Sequence, residues 1–298
     1  MAGGPITAEP RPAAGPLVSP TVFVYNRPFG WRRGAPAGHR MEARLALFRS
    51  TFRRYECKYV IDEVQAAAIR AGIRPYVEPD PYARLRSDGC YAIRSVYLDS
   101  PNLRLCLETR NGNVNRLKLR VREYPDHGPD GPVFVEIKRR YDRRVLKSRA
   151  RMPRHEAGRL VAGVTEGVPG LSREEQACHD EFLSWVQCWQ ARPVVWVGYT
   201  REAYVGTFQE DLRITFDRDL HCAPAEGFEQ PDEDLWRELA PCRIVLELKF
   251  DVSYPDWLQR LVARHDLRQV SFSKYANSVE RGLDPWRLPA GFTPGADD

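Results

Sequence analysis

This sequence is short of the signatures that mark the commonest enzyme chemistries. It has no CxxC pair: Cys57, Cys90, Cys106, Cys178, Cys188, Cys222 and Cys242 are odd in number and widely scattered. That argues against a disulfide framework and a zinc knuckle, and for reduced thiols in a cytoplasm. No apolar run approaches 18 residues, so no direct membrane insertion is expected. The N-terminal MAGGPITAEPRPAAG lacks the basic region and apolar core of a secretory signal. There is no GxxxxGK[ST] and no GxGxxG, so neither usual nucleotide-binding loop is present. The absence of HExxH and GxSxG removes the common zinc-peptidase and acyl-transfer motifs. The histidines His39, His127, His155, His179, His221 and His265 show no ligand spacing and read as surface residues. Tyr91, Tyr97 and Phe272 fit a core better than a base-stacking platform.

What the chain does have is unevenly placed positive charge. Its net charge is only +5, yet the stretch from Arg104 to Arg154 holds fifteen Lys/Arg against six Asp/Glu. A concentrated positive field on an otherwise acidic body points to an anionic ligand more than to a general coating for nucleic acid. The centre of this stretch is Arg116-Leu117-Lys118-Leu119-Arg120-Val121-Arg122. In an extended strand, alternate side chains share a face, so four cations line one side and three apolar residues the other. Such a row is either a solvated face or the wall of a polyanion site.

The pattern recurs. Residues 1–48, rich in Pro, Gly, Ala and Arg, read as a disordered tail in which Val22–Tyr25 is the one docking candidate and Met41 an alternative start. An ordered domain is expected over 49–285 and a flexible tail over 286–298. In Arg54–Tyr59, Glu56 and Lys58 share a face. Asp62 caps a helix through Ala71, with Gly72 near its end. Tyr91–Asp99 and Leu103–Glu108 read as strands, and Asn111-Gly112 as a hairpin turn into the basic strand. Val133–Lys138 aligns Glu136 with Lys138, and Lys147, Arg149 and Arg151 repeat the one-sided arrangement. Ser172–Glu175 is a capping box opening a helix. Val194–Gly198, Tyr199–Val205 with Arg201, Leu212–Asp217 with Arg213, and Ile244–Phe250 with Glu247 and Lys249 follow as strands. A helix over 255–264 and a last short helix after Lys274 complete the pattern.

Many strands with few crossover helices imply an antiparallel α+β fold. The polar faces are biased to Arg and Lys, with Glu two residues before Lys at Glu56/Lys58, Glu136/Lys138 and Glu247/Lys249. A closed barrel with a charged lumen, its apolar outer face covered by helices, accounts for this. A phosphate chain suits such a lumen, because Arg and Lys donate charge-assisted hydrogen bonds of about 1.5–3 kcal/mol each. Empty, the lumen would be destabilised unless water, anions or acidic residues offset it. Glu136 and Glu247 are candidates for a hard divalent cation, or else for cross-strand salt bridges to a neighbouring Lys.

Taken together, these segments resemble the VTC (vacuolar transporter chaperone) polyphosphate polymerase domain of the triphosphate tunnel (CYTH-like) superfamily. The carriers are Arg54–Tyr59, Ser95–Asp99, Arg116–Arg120, Glu136–Lys138, Lys147–Arg149, Tyr199–Arg201, Arg213–Asp217, Glu247–Lys249 and Ser273–Tyr275. The resemblance spans about Phe52 to Leu283. It implies a closed eight-stranded antiparallel β-barrel that transfers the γ-phosphoryl of ATP to polyphosphate with Mn²⁺ or Mg²⁺. The phosphates would be held by Lys58, Arg116, Lys118, Arg120, Lys138, Arg201 and Lys274. Lys147, Arg149, Arg213 and Lys249 extend that wall, and Arg120, Arg201 and Lys274 serve the reacting phosphoryl. Glu247 would bind the metal and Glu136 assist. Arg54 stands where triphosphatase and cyclase members begin their Glu-x-Glu-x-Lys motif, which favours the VTC branch. Neither an SPX domain nor membrane helices accompany it in this sequence. Hydrolysis of triphosphate or short polyphosphate, and a non-catalytic polyphosphate- or nucleotide-binding module, are the alternatives.

Overall fold

A computed structural model describes residues 55–141, 144–164, 166–251, 254–289 and 292. The expectations for residues 1–48, for Arg54 and for most of the C-terminal tail lie outside the described residues. Ten strands form a single antiparallel sheet. In chain order they are β1 (Tyr55–Ile61), β2 (Val77–Pro79), β3 (Cys90–Asp99), β4 (Asn115–Glu123), β5 (Val133–Tyr141) and β6 (Arg144–Met152). β7 (Arg192–Gly206), β8 (Arg213–Pro224), β9 (Arg237–Glu238) and β10 (Ile244–Phe250) follow. Eight of them run in the order β1-β10-β8-β7-β3-β4-β5-β6, while β2 pairs with β7 and β9 with β8.

The expected closed barrel needs correcting. β1 and β6 end the path, and no backbone ladder joins them among the described residues. The two sides approach through other groups instead. Lys138 on β5 donates to both carboxylate oxygens of Glu56 on β1, at 3.0 Å each. The segment after residue 267 covers the free edge of β1, where the Val270 amide donates to the Lys58 carbonyl at 2.9 Å. The Lys118 ammonium on β4 reaches Ser273 Oγ at 2.8 Å.

Apolar residues go to the outside of this curved sheet, and the helices cover them. β1, β8 and β10 turn Tyr59, Ile61, Ile214, Phe216, Leu246 and Leu248 outward against α1 (Glu63–Ile73) and α5 (Asp256–Arg264). A second, larger cluster lies under α2 (Arg104–Arg110), α3 (Arg154–Val161), α4 (Arg173–Trp189) and α6 (Lys274–Gly282). It takes Leu117, Leu119 and Val121 from β4, and Val133, Val135 and Ile137 from β5. The alternate residues of the same strands are charged and face the concave side.

Local sequence explains the helices. Asp62 caps α1 by accepting from the Gln65 amide at 2.7 Å while Gln65 returns the bond, and Ser172 and Glu175 do the same for α4. Gly72 does not end α1. It lies within it, where a Cβ would come 2.6 Å from the Leu261 side chain of α5, so its lack of a side chain lets the two helices touch.

Two other expectations change. Leu103–Glu108 is not a strand: Arg104–Arg110 is helical. Leu103 adopts a left-handed φ of 53° that turns the chain out of the sheet. The buried Asp99 carboxylate then accepts the Leu105 and Cys106 amides at 2.9 Å each, supplying partners for the donors exposed at a helix start. Asn111-Gly112 accordingly terminates α2, with the Asn111 amide bonded to the Leu107 carbonyl and Gly112 at a φ of +65°. Val194–Gly198 and Tyr199–Val205 form one strand, β7, with a register shift between Gly198 and Thr200. His179, expected at the surface, is buried in α4. Beyond Asp284, Pro285–Arg287 makes a 3₁₀ turn, and Leu288 and Phe292 pack on the larger cluster. No helix among the described residues is long and apolar enough to cross a membrane.

Ile69 of α1 is fully enclosed in the smaller cluster, whereas Val64 on the same helix is 80% exposed. Ile69→Ala is expected to cost about 2–5 kcal/mol, through lost burial and the cavity left behind. Val64→Ala should stay within about 0.5 kcal/mol. Urea denaturation of the two variants measures the difference.

Candidate functional site

The concave face carries far more cations than anions. In β4, Lys118, Arg120 and Arg122 point inward because Leu117, Leu119 and Val121 are committed to the outer core. The register then places cations from neighbouring strands beside them. Lys138 lies opposite Lys118, Glu136 opposite Arg120, and Arg149 and Lys147 opposite Glu136 and Lys138. Across the sheet, Arg201 faces Asp217, and Lys58 faces Glu247.

Four carboxylates are set among these cations. Glu136 is fully buried and meets Arg120 at 2.6 Å, Lys147 at 2.8 Å and Arg149 at 3.1 Å. Asp217, also fully buried, accepts a two-pronged contact from Arg201 at 2.6 and 2.7 Å and a third bond from Lys274 at 2.6 Å. Glu247 pairs with Lys249 at 2.9 Å and lies 3.8 Å from Lys58. Glu56 is the partner of Lys138.

Three cations also bond to neutral groups. Arg122 donates to Tyr199 Oη at 3.1 Å and lies 3.4 Å from Ser95 Oγ. Lys58 donates to the Phe272 carbonyl at 2.9 Å. Lys118 has only the Ser273 hydroxyl.

Protonation equilibria follow this arrangement. Burial alone would raise the Glu136 carboxyl, but Arg120, Arg122 and Lys147 hold it far below the usual carboxylate range. Burial likewise opposes ionisation of Asp217, which Arg201 and Lys274 nevertheless bring down to about 2. Glu247 is held well below its ordinary value against burial by Lys249, Lys58 and Lys274. The bases respond in the opposite sense. Burial and the like charges of Lys58, Lys138, Arg116 and Arg120 push the Lys118 ammonium well down. Lys147 falls to about 7 because desolvation, with Arg120 and Arg122 alongside, outweighs Glu136. Arg120 and Arg201 lose to burial but gain more from Glu136 and Asp217, and remain fully charged.

Most residues expected at a phosphate site therefore meet on one concave face: Lys58, Lys118, Arg120, Lys138, Lys147, Arg149, Arg201, Lys249 and Lys274. Two stand apart. Arg213 is exposed at the edge, opposite Lys249 and Val205. Arg116 donates to the Asn113 carbonyl at 2.7 Å near the start of β4. The sequence reading assigned no site role to Glu56, Asp217, Arg122, Tyr97, Tyr199 or Ser273. Their signal was the same alternation: Asp217 is two residues from Thr215 and four from Arg213, and Tyr97 shares a face with Ser95.

Tyr97 joins the site to the helix layer. Its hydroxyl accepts from Arg120 at 3.0 Å, and its ring stacks on Tyr275 at a centroid distance of 4.8 Å. The Tyr275 hydroxyl in turn donates to Asp99, the carboxylate that starts α2. Lys274 and Ser273 are thereby fixed by the residue that follows them.

No group of three or more His, Cys, Asp or Glu side chains suited to a metal ion occurs among the described residues. Glu136 is a poor metal ligand, because Arg120 takes one of its oxygens and Lys147 and Arg149 the other. Glu247 and Glu56, met by lysines alone among the described residues, are the alternative pair. They lie diagonally across the β1–β10 ladder, where burial and Glu247 raise the Glu56 carboxyl, Lys138, Lys249 and Lys58 lower it, and the net direction for Glu56 is down. Two carboxylates suit a hard divalent cation whose other ligands are phosphate oxygens and water.

Comparison with known proteins gives a family match and distant structural likenesses, of which two are described. A putative adenylate cyclase from Bacillus halodurans is 13% identical, with 72% of this chain and 90% of that one covered and a TM-score of 0.40. The Mimivirus capping enzyme triphosphatase is 12% identical, with 76% and 92% covered and a TM-score of 0.30. No curated protein matches the chain. The VTC domain family matches residues 53–281, which include every strand and helix of the charged face, and the protein belongs to that family.

Proposed function

We propose that the protein is a polyphosphate polymerase, transferring the γ-phosphoryl group of ATP to the end of an inorganic polyphosphate chain. The observation that carries this reading is Lys118, a half-buried ammonium that has no carboxylate partner among the described residues and is set among cations that repel it. A group so placed is stabilised by a bound anion. A linear polyphosphate offers one at each step along the β4 row.

The chemistry needs no side-chain nucleophile. A terminal oxygen of the acceptor attacks the γ-phosphorus, a new P–O bond forms, and the bond to the β–γ bridging oxygen breaks to release ADP. Two polyanions brought end to end repel each other, so alignment is the principal task. Arg120 and Arg201 suit it because Glu136, Tyr97 and Asp217 already hold their guanidinium groups in place. Charge developing on the transferring group meets donors that need not reorganise. Lys274, fixed between Asp217 and the ring of Tyr199, lies 4.8 Å from that ring centre and adds a third such donor. A divalent cation held by Glu247 and Glu56, Mn²⁺ or Mg²⁺, supplies neutralisation of phosphate oxygens when bound. The seven unpaired cysteines suit a reducing compartment such as the cytoplasm.

Incubating the purified protein with ATP and Mn²⁺ tests the reading. ADP together with long polymer is the expected product. Orthophosphate without polymer would mean that water is the acceptor, and binding without turnover would mean a non-catalytic module. Glu247→Gln should reduce turnover at least 100-fold while ATP binding is partly kept; wild-type turnover would remove Glu247 from the metal site. Lys118→Ala should weaken tripolyphosphate binding about tenfold, read by calorimetry, and unchanged affinity would exclude it from the phosphate wall.

The pH dependence has a definite sign. Lys147 titrates near 7, brought down by burial and by Arg120 and Arg122, and a bound anion raises that value. Affinity for tripolyphosphate is therefore full below about pH 7 and falls as the pH rises through it. Lys147→Arg keeps the charge, so the slope between pH 6.5 and 8.5 should flatten in that variant.

A further inference from the structure

Where β3 begins and β4 ends, the cation wall gives way to rings. Tyr91, Tyr124 and Phe134, with Tyr82 from the turn after β2, form one contiguous aromatic group. Tyr82 lies 6.0 Å from Tyr91 and is near-parallel to Tyr124 at 6.1 Å. Phe134 meets the Tyr124 edge at 5.6 Å. Tyr82 is 49% exposed and the other three are half-buried; Tyr91 and Tyr124 pack on the edge of the larger apolar cluster, as expected for Tyr91, and keep part of their rings open.

Two of the rings belong to the concave face. Tyr91 pairs with Arg201 in the β3–β7 register, and Phe134 pairs with Arg122 and Arg151. Arg149 joins the rings to the phosphate wall. Its guanidinium carbon sits 3.6 Å from the Phe134 ring centre, it donates to Tyr124 Oη at 3.2 Å, and its Nε lies 3.1 Å from Glu136. The turn bearing Tyr82 is fixed: Asp80 accepts the Tyr82 and Ala83 amides at 3.0 and 2.8 Å, and the Tyr91 hydroxyl at 3.1 Å.

The geometry points to a nucleobase subsite at this rim, where the base of a nucleoside triphosphate stacks on Tyr82 while its phosphates run inward past Arg149. The inference rests on the triphosphate reading of the tunnel and adds to it which end of the substrate stays outside. A polyphosphate chain has no use for half-exposed rings. A molecule with a phosphate tail and a flat, weakly polar head matches cations and rings joined through one arginine. Stacking on a ring face is tolerant of base identity, since every base presents a π-face. ATP and GTP should therefore bind with affinities within about threefold of each other.

Tyr82→Ala tests the subsite, because Tyr82 is 49% exposed and its hydroxyl has no hydrogen-bond partner among the described residues. Calorimetry with ATP and with tripolyphosphate, each with Mg²⁺, separates head from tail. The expected result is about tenfold weaker ATP binding with tripolyphosphate affinity within twofold of wild type. Tyr82→Phe should restore ATP binding, and an unchanged melting temperature controls for folding. Equal losses for both ligands, or no loss for ATP, would overturn the subsite and leave the tunnel reading intact. The same holds if wild-type protein binds tripolyphosphate but not ATP. Binding of neither ligand by the wild type would overturn both.

Discussion

The structure depends on how a surplus of positive charge is kept inside a folded chain. A carboxylate buried alone would be neutralised, and a lysine buried alone would lose its proton. Here they are interleaved. Glu136 and Asp217 each hold two or three cations, so the guanidinium groups of Arg120 and Arg201 stay charged although their surroundings are dry. The acids are too few to finish the task. Lys118 and Arg122 are left to hydroxyl oxygens, and Lys58 to a carbonyl oxygen with Glu247 3.8 Å away, so the face keeps a surplus of positive charge.

Placing charge on the inner side of the sheet moves the apolar core to the outer side, in two parts. One lies between β1, β8, β10 and helices α1 and α5; the other lies beneath α2, α3, α4 and α6. The helices are therefore obligatory for the strands: without them, Leu119, Val135 and Leu246 would face water. The same layer positions the site. Asp99 starts α2 and receives Tyr275 from α6, and Tyr275 stacks on the tyrosine that orients Arg120.

Much of this was legible because alternation on a strand is a strict geometric rule. Arg116–Arg122, Val133–Lys138 and Ile244–Phe250 all put their charged residues on one face, as their period required. The capping boxes at Asp62 and Ser172 marked helix starts for an equally local reason. Leu103–Glu108 misled because a short stretch carries too few residues to separate periods of 2 and 3.6. What decided it was the carboxylate of Asp99, a residue that belongs to the preceding strand. Gly72 was read as a terminator because its reason for being small lies 189 positions away, at Leu261. Within the site the cations were legible, whereas the pairing of each acid was not. Whether Glu136 binds a metal or three bases depends on which strands become neighbours, and that is a property of the whole sheet. Barrel closure was out of reach for the same reason.

The join between β1 and the β4–β5 side has a mechanical consequence. Everywhere else around the ring, neighbouring strands are fastened by ladders of amide bonds, whose strength hardly depends on dissolved ions. At this join the fastening among the described residues is the Lys138–Glu56 ion pair, the Lys118–Ser273 and Lys58–Phe272 contacts and a single amide bond from Val270. The width across the concave face is thus set at its softest sector, where one ion pair and a few hydrogen bonds stand in for a ladder. Added salt loosens the girth there while leaving the rest of the wall stiff.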